Sequence, residues 1–257
     1  MSPTNPGLLV LEDFSPTAAV AKKESLTEEQ VYEVVAALAS LNVFSWKNGS
    51  LKSLHREEFK IWPDQLRDEA KKLIGFFSNS FANLFEKIEW CFDSNFLYNF
   101  VFDSHTQLGL PPFLVHGDII PSNLLFKKTV NRRISSELAA IIDWQDAHLG
   151  NFAEDLARLL ITSCSTEFLA RNKIAVLQFY HRSLSTSLGY TPFEFEDVLV
   201  AFEAILPYAF AYYLYGVSIG FQNQTPDKEI LKSEKEKIEY LADEVLKCKY
   251  LYDESQA

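Results

Sequence analysis

The sequence predicts an α+β fold, a mostly helical body with a small β insert in its middle. Apolar residues recur at helical spacing before about residue 110 and again after Gly150. Between Pro111 and Ala147 they fall instead into short runs separated by turn residues. The composition agrees: 47% hydrophobic and 23% charged residues, with 21 Phe, 11 Tyr and only nine Gly, predict a folded chain with an aromatic core and little flexible linker. At 257 residues, with no repeat, low-complexity tract or linker, one domain over 1–257 is expected.

In chain order, Leu8–Leu11 of "GLLVLEDF" predicts a short strand stopped by Glu12 and Asp13. Ser25 and Glu28 fit a capping box opening a helix whose apolar stripe is Val31, Val34, Val35, Leu38 and Leu41. Residues 59–102 predict two or three aromatic-rich helices, with Pro63 suited to a first turn. "FLVHGD", "NLLF" and "LAAIID" are three small strands packed on helices. Between the last two, "KKTVNRRISS" carries Lys127, Lys128, Arg132 and Arg133, which suit a solvated hairpin tip; gripping a phosphate is the alternative.

After Gly150 the pattern is helical. "AEDLARLLITS" begins with acids, favourable at a helix N-terminus, and the helix after it is expected to end near Gly189. A third helix starts at Pro192 and a charged tail helix runs from about Asp227 to Tyr252. Val198–Phe221 is as long as a bilayer span, which takes roughly 20 apolar residues. Glu203 and Pro207 interrupt it and no basic flank orients it, so a buried core helix is expected and no membrane span.

The formal net charge of −11 and pI near 5.0 repel a polyphosphate backbone, which argues against nucleic-acid binding through a basic surface. A small phosphorylated ligand is compatible, because a metal ion can offset local charge. Cys91, Cys164 and Cys248 are far apart and odd in number, which fits a reducing cytoplasm better than a disulfide framework or zinc site. The first residues carry no basic stretch, and their apolar run is short for a signal peptide.

The candidate chemistry lies in "FLVHGDIIPSNLLF" and "AAIIDWQDA". Asp118 and Asn123 are five positions apart in a segment that Pro121 keeps from being continuous helix. A carboxylate there can accept a proton, and an amide oxygen is a neutral hard donor. Asp143 adds a second hard oxygen at a strand end, a set suited to Mg²⁺ on a substrate's phosphates and not to Zn²⁺. His116, beside Leu114 and Val115, reads as a buried brace, and Gly117 permits tight backbone geometry. Each acid alone is an ordinary turn or cap residue. The combination H-G-D-x-x-x-x-N, a strand and I-D-W has the logic of a kinase catalytic loop.

"HGDIIPSNLLF" and "AAIIDWQDAHLGNFAEDLARLL" resemble the protein-kinase-like small-molecule phosphotransferases: aminoglycoside phosphotransferases, choline kinases and the ecdysteroid-kinase-like group, above all the nematode CHK kinase-like proteins. The resemblance runs from about Gly7 to the C-terminal helices. It implies the large lobe of a kinase-like fold, with ATP and Mg²⁺ as cofactors and the hydroxyl of a small molecule as acceptor. By position, Asp118 is the implied base supported by His116, and Asn123 and Asp143 are the implied Mg²⁺ ligands. Asp155 is implied to anchor the catalytic loop through backbone hydrogen bonds. Residues 7–16 become a hinge remnant, where Glu12, Asp13 and Phe14 meet the adenine above a floor of Leu125 and Ile142. Residues 17–110 become a helical part, 111–147 the catalytic and metal-binding loops, and 148–257 a second helical part. Trp144 and Gln145 stand where protein kinases have Phe-Gly, so a flipping activation segment is not expected. The aromatic residues Phe202, Tyr208, Phe210, Tyr212, Tyr213 and Tyr215 are core or, by the resemblance, an acceptor wall.

A kinase of this type also needs a Gly-rich phosphate loop, a strand Lys and a helix Glu before the hinge. No G-x-G-x-x-G occurs, and Lys22 and Lys23 follow the hinge. The expectation is therefore a truncated chain without the small lobe, with an apolar hinge-side face open to a protein partner. Two functions follow: an ATP- and Mg²⁺-dependent phosphotransferase, or a catalytically inactive kinase-derived binding protein. A metal-dependent hydrolase is a third, for which no second acid cluster speaks.

Overall fold

The computed structural model describes residues 12–21, 25–48, 63–77 and 79–256, without the side chains of Asn79 and Ser80. The strand expected at Leu8–Leu11 and the pair Lys22–Lys23 lie outside the described residues.

Among the described residues, two small antiparallel sheets sit against a helical body. One has the order β1 (Ala18–Val20), β3 (Leu124–Lys128), β4 (Ile134–Ile141), with Ala19 opposite Phe126 and Leu124 opposite Ile141. A register shift beyond Leu125 bends the β3–β4 hairpin. The other pairs β2 (Phe113–Val115) with β5 (His148–Gly150). The three central strands lie where the apolar runs place them. The stretches read as wholly helical open instead with β1 and β5. A strand of three residues is too short to display an alternating pattern, so only its partner strand reveals it. The hairpin tip is solvated: Arg133 is exposed, Arg132 has φ 58° and Lys127 pairs across the hairpin with Glu137.

Helix α1 (Glu28–Lys47) buries Val31, Val34, Val35 and Leu38, as its stripe predicts. Its cap is not Ser25–Glu28 but Thr27–Gln30: Gln30 N–H donates to Thr27 Oγ1 at 3.3 Å, and Thr27 N–H to Gln30 Oε1 at 3.1 Å. Both pairs satisfy the capping pattern. Tertiary structure chooses the second, because Gln30 Nε2 also reaches the Ser135 carbonyl of β4 at 3.0 Å.

Pro63 does open a helix, α2 (Pro63–Lys72). After it come α3 (Ile74–Phe77), α4 (Asn79–Ile88) and the short turns α5 (Ser94–Phe96) and α6 (Ser104–Gln107). The C-terminal half holds α7 (Ala153–Ser163) and α8 (Thr166–Leu188), the latter closed by Gly189 at φ 83°. Helix α9 (Phe195–Asn223) starts three residues beyond Pro192, where Asp197 Oδ2 accepts the Glu194 N–H at 2.8 Å. The tail divides at Cys248 into α10 (Lys228–Lys247) and α11 (Lys249–Ser255).

Helix α9 is the one described helix long and apolar enough to cross a membrane, and 72% of its apolar window is buried in the protein. It packs on α7 and α2, while α1 lies along α8. Under β2 the aromatic core is layered: Phe152 stacks on Phe193 (5.1 Å) and Tyr180 (5.3 Å), and Phe113 meets Phe152 edge-on at 5.5 Å.

Buried polar bonds fix β2 to this body. Tyr180 donates its hydroxyl proton to Asn42 Oδ1 at 2.6 Å, Asn42 Nδ2 donates to the Leu114 carbonyl at 3.0 Å, and Leu114 N–H donates to Ser45 Oγ at 2.8 Å. β2 ends at Val115, immediately before the loop that carries His116, Gly117 and Asp118, so these bonds set where that loop begins. Asn42→Leu deprives a buried hydroxyl and a carbonyl of their partner. The expected loss is about 2–6 kcal/mol in urea unfolding, at roughly 1–3 kcal/mol per group. An unfolding curve equal to wild type would show that the bonds do not form.

Candidate active site

The loop between β2 and β3 is held from below by α7. Asn151 starts that helix: its Oδ1 accepts the Ala153 N–H at 2.9 Å, and its Nδ2 donates to the Ala201 carbonyl of α9 at 3.0 Å. One turn in, buried Asp155 accepts the His116 N–H on Oδ2 (2.8 Å) and the Gly117 N–H on Oδ1 (2.9 Å). These are the backbone hydrogen bonds that the family resemblance implies. Burial pushes the Asp155 carboxyl up to about 7, against the opposing effect of the two N–H bonds.

Gly117 has φ 85°, and a Cβ there would lie 2.6 Å from the Asp146 carbonyl oxygen. Its conformation and its lack of a side chain are both required by the close approach of "DWQD". The turn returns the chain so that the Asp118 N–H donates to His116 Nδ1 at 3.2 Å. That bond assigns the ring proton to Nε2, which donates to the Ile142 carbonyl at 2.9 Å. Burial holds His116 below the usual imidazole range, although Ile142, Asp118 and Asp143 favour its charged form. His116 is thus the buried brace its apolar neighbours suggest, with Trp144 edge-on to it at 4.6 Å.

Asn123 closes the loop. Its Nδ2 donates to the Asp118 carbonyl and to Asp118 Oδ2, both at 2.9 Å. Its own carbonyl accepts the Ile142 N–H at 3.0 Å. Ile142 is therefore tied by its carbonyl to His116 and by its N–H to Asn123, and the next residue is Asp143. Asp143 is exposed and left-handed, with φ 66° and ψ 63°. Side chains other than Gly seldom adopt that conformation, and when they do they cluster at functional sites. Asp118, Asn123 and Asp143 thus gather at one place. The carboxyl of Asp146 beside them is raised by burial first and then by Asp118 and Asp143.

Leu125 and Ile142 are half-buried, and Leu125 lies opposite Val20, itself 45% exposed. Glu12 and Asp13 are exposed. The Phe14 carbonyl is committed to an internal turn, accepting the N–H groups of Thr17 (3.0 Å) and Ala18 (2.8 Å). Asp13 Oδ1 accepts the Ser15 N–H at 2.8 Å. Of the segment 7–16 expected as a hinge, residues 7–11 lie outside the described residues, and residues 12–16 lead through a turn into β1.

One site residue escaped the sequence reading. Arg158, buried on α7, directs Nη2 at Asp118 Oδ1, and its guanidinium lies over the Tyr212 ring at 4.2 Å. Burial opposes its charge, but Tyr208, Asp118 and Tyr212 hold its pKa above the ordinary value. The signal was present: Arg158 follows Asp155 by three residues and so shares its helix face. Among the aromatic residues of α9, Phe202 and Phe210 are core. Tyr213 is buried with its hydroxyl on Glu234 and Lys237 over its ring at 5.0 Å, so of the two adjacent tyrosines Tyr212 is the one beside the acids.

An Asp-bearing loop gripped by a helix Asp, an Asn at its end, and a strand that delivers a second Asp follow the motif order in which the sequence resembles the kinase-like small-molecule phosphotransferases. The DUF1679 family model, which carries the description "Uncharacterized oxidoreductase dhs-27", matches residues 3–254. The chain belongs to that family, the nematode CHK-like set that its central motifs resemble. It is 29% identical over 187 residues to "Uncharacterized oxidoreductase dhs-27" of Caenorhabditis elegans, an alignment covering 69% of this chain and 22% of that protein. The chain thus spans about a fifth of that relative. Among solved structures it is similar to the choline kinase LicA from Streptococcus pneumoniae (16% identity, TM-score 0.44, 88% of this chain and 67% of that one). It is also similar to ADP-bound aminoglycoside phosphotransferase APH(2'')-Ib (21% identity, TM-score 0.38, 88% and 71%).

Two outcomes are expected from the loop geometry. Gly117→Ala should lower unfolding free energy by about 1–3 kcal/mol, the cost of a strained left-handed residue, with a further loss from the contact with Asp146. An unchanged melting curve would contradict the close approach. For Asp155, a folded pKa raised to about 7 means that the native state holds the proton where the unfolded chain has lost it. Its stabilisation is full at pH below the ordinary Asp value and is lost as pH rises through about 7. His116, whose pKa is lowered, has the opposite slope, which cancels on comparison with Asp155→Asn. The wild type minus Asp155→Asn difference should therefore fall between about pH 4 and 7 and level off above, at up to about 1.4 kcal/mol per pH unit for one proton. A flat difference would show that Asp155 stays ionised throughout.

Proposed function

We propose that this chain is an ATP- and Mg²⁺-dependent phosphotransferase that phosphorylates a hydroxyl of a small molecule. The observation that carries the reading is the hydrogen bonding of Asn123. With Nδ2 committed to Asp118, its amide oxygen is the group left for a cation, and exposed Asp143 follows the Ile142 whose N–H the Asn123 backbone carbonyl accepts. Both side chains carry hard oxygens. Among the described residues no cluster of three or more His, Cys, Asp or Glu could hold a metal ion. One amide and one carboxylate fit Mg²⁺, which keeps waters and takes its remaining ligands from phosphate. When bound, Mg²⁺ supplies charge neutralisation at the transferring phosphoryl group.

Asp118 is the base. Oδ1 is turned to Arg158 and Oδ2 to Asn123, and each oxygen keeps lone-pair capacity to accept the acceptor's hydroxyl proton. His116 holds the loop in register through its ring nitrogens. Leu125 and Ile142 offer the adenine an apolar floor, and at residues 12–14 the groups left for it exclude the Phe14 carbonyl. The oxidoreductase in the description shared by the family model and the relative names a protein of which this chain spans 22%.

Calorimetry of ATP with and without Mg²⁺ tests the reading. Binding should require Mg²⁺ and weaken by about tenfold or more in Asp143→Ala, the scale on which lost metal-site groups act. Asp118→Asn should lower phosphoryl transfer by about 100-fold or more while leaving ATP affinity unchanged. No ATP binding by the wild type at millimolar concentration would sink the reading for this chain.

A further inference from the structure

We infer that Arg158 is the positioning residue for Asp118, fixing the carboxylate in the orientation in which Oδ2 faces Asn123. The inference rests on the phosphotransferase reading for its catalytic consequence, and on geometry alone for the orientation itself.

Asp118 lies near the start of the loop between β2 and β3 with its side chain 19% exposed, and a carboxylate there can rotate about its side-chain bonds. Two donors restrict it. Asn123 Nδ2 holds Oδ2 at 2.9 Å, but the same nitrogen also serves the Asp118 carbonyl at 2.9 Å, so its hold on the side chain is shared. Arg158 Nη2 takes Oδ1 and completes the constraint.

The guanidinium can do this because it is itself immobile. Arg158 is 4% exposed, it rises from the helix that grips His116 and Gly117, and its plane rests on Tyr212 of α9. One turn of α7 thus holds the loop twice: Asp155 takes its backbone and Arg158 its reactive side chain. Arg158 Nε is buried with no hydrogen-bond partner among the described residues. A guanidinium placed for stability alone would have its remaining donors satisfied, because a buried ion pair is weak at stabilising a fold unless its geometry is complete. The pair and the ring fix direction, and direction is what a base needs, since a misplacement of about 1 Å can cost about 100-fold in rate.

The test uses the full chain with Arg158→Gln and Arg158→Lys, read in two ways. In ¹⁵N-resolved NMR, Arg158→Gln should shift the Asn123 side-chain amide and speed its exchange with solvent. The backbone amides of His116 and Gly117, held by Asp155, should stay as in wild type. Arg158→Lys should restore the Asn123 signal in part. In phosphoryl-transfer kinetics, Arg158→Gln should lower kcat by about 10- to 100-fold with KM for ATP unchanged, and Arg158→Lys should recover a fraction. A purely structural role would raise KM or disturb His116 and Gly117 together with Asn123. Should Arg158→Gln not fold, Tyr212→Leu removes the ring behind the guanidinium and should shift the Asn123 amide in the same direction.

An Asn123 amide that ignores both Arg158→Gln and Tyr212→Leu overturns the inference whatever the kinetics show. An altered Asn123 amide with wild-type kcat overturns the catalytic consequence. A wild type that transfers no phosphoryl group, with an Asn123 amide that still responds, defeats the phosphotransferase reading and leaves Arg158 as what orients Asp118.

Discussion

A buried carboxylate that accepts two adjacent backbone N–H groups organises this site. Asp155 reaches from the first turn of α7 and takes the amides of His116 and Gly117, which would otherwise be buried donors without partners. An unpaired buried N–H costs about 1–3 kcal/mol, so the loop has one low-energy way to sit on the helix. Gly117 must then turn left-handed beneath the Asp146 carbonyl, and the His116 ring must stand between Asp118 and Ile142. Ile142 passes the constraint on to Asn123, and the next residue is Asp143. Each group of the proposed reaction is reached from Asp155 through a short run of hydrogen bonds.

The electrostatics follow from the same packing. Asp118, Asp143 and Asp146 lie near one another, which raises the Asp146 carboxyl along with its burial. Bringing acids together is tolerable only if a cation joins them. Arg158 supplies one from beneath, and in the proposed function Mg²⁺ supplies the other from the open side. Burial disfavours the charged form of His116, against the opposing effect of Ile142, Asp118 and Asp143. A helix dipole of fixed sign, the acids of its first turn and a buried guanidinium one turn on are all carried by α7.

The helical body serves as a platform for this arrangement. Asn42, Ser45 and Tyr180 pin β2, and Asn151 joins the start of α7 to α9. The aromatic layer of Phe113, Phe152, Tyr180 and Phe193 fills the space under the pinned strand. Polar bonds within an aromatic core specify one arrangement, because breaking any of them leaves a partner buried and unpaired.

Periodicity and motif order made much of this legible. The stripe of α1, the acids opening α7, the stop at Gly189, the buried nature of α9 and the three central strands all arise from local residue types, which act over a few positions. The grouping of His116, Asp118, Asn123 and Asp143 was legible because loop chemistry demands fixed spacing. Tertiary structure alone decided the rest. It created β1 and β5, which at three residues exist only through their partners. It moved the α1 cap from Ser25 to Thr27, because Gln30 had a carbonyl on β4 to reach. It committed the Phe14 carbonyl to a turn, and it brought Arg158 to Asp118 across 40 positions of sequence. Sequence spacing encodes contacts along a helix face or a strand. A contact between two elements depends on how their faces meet, and that is settled only when the core packs.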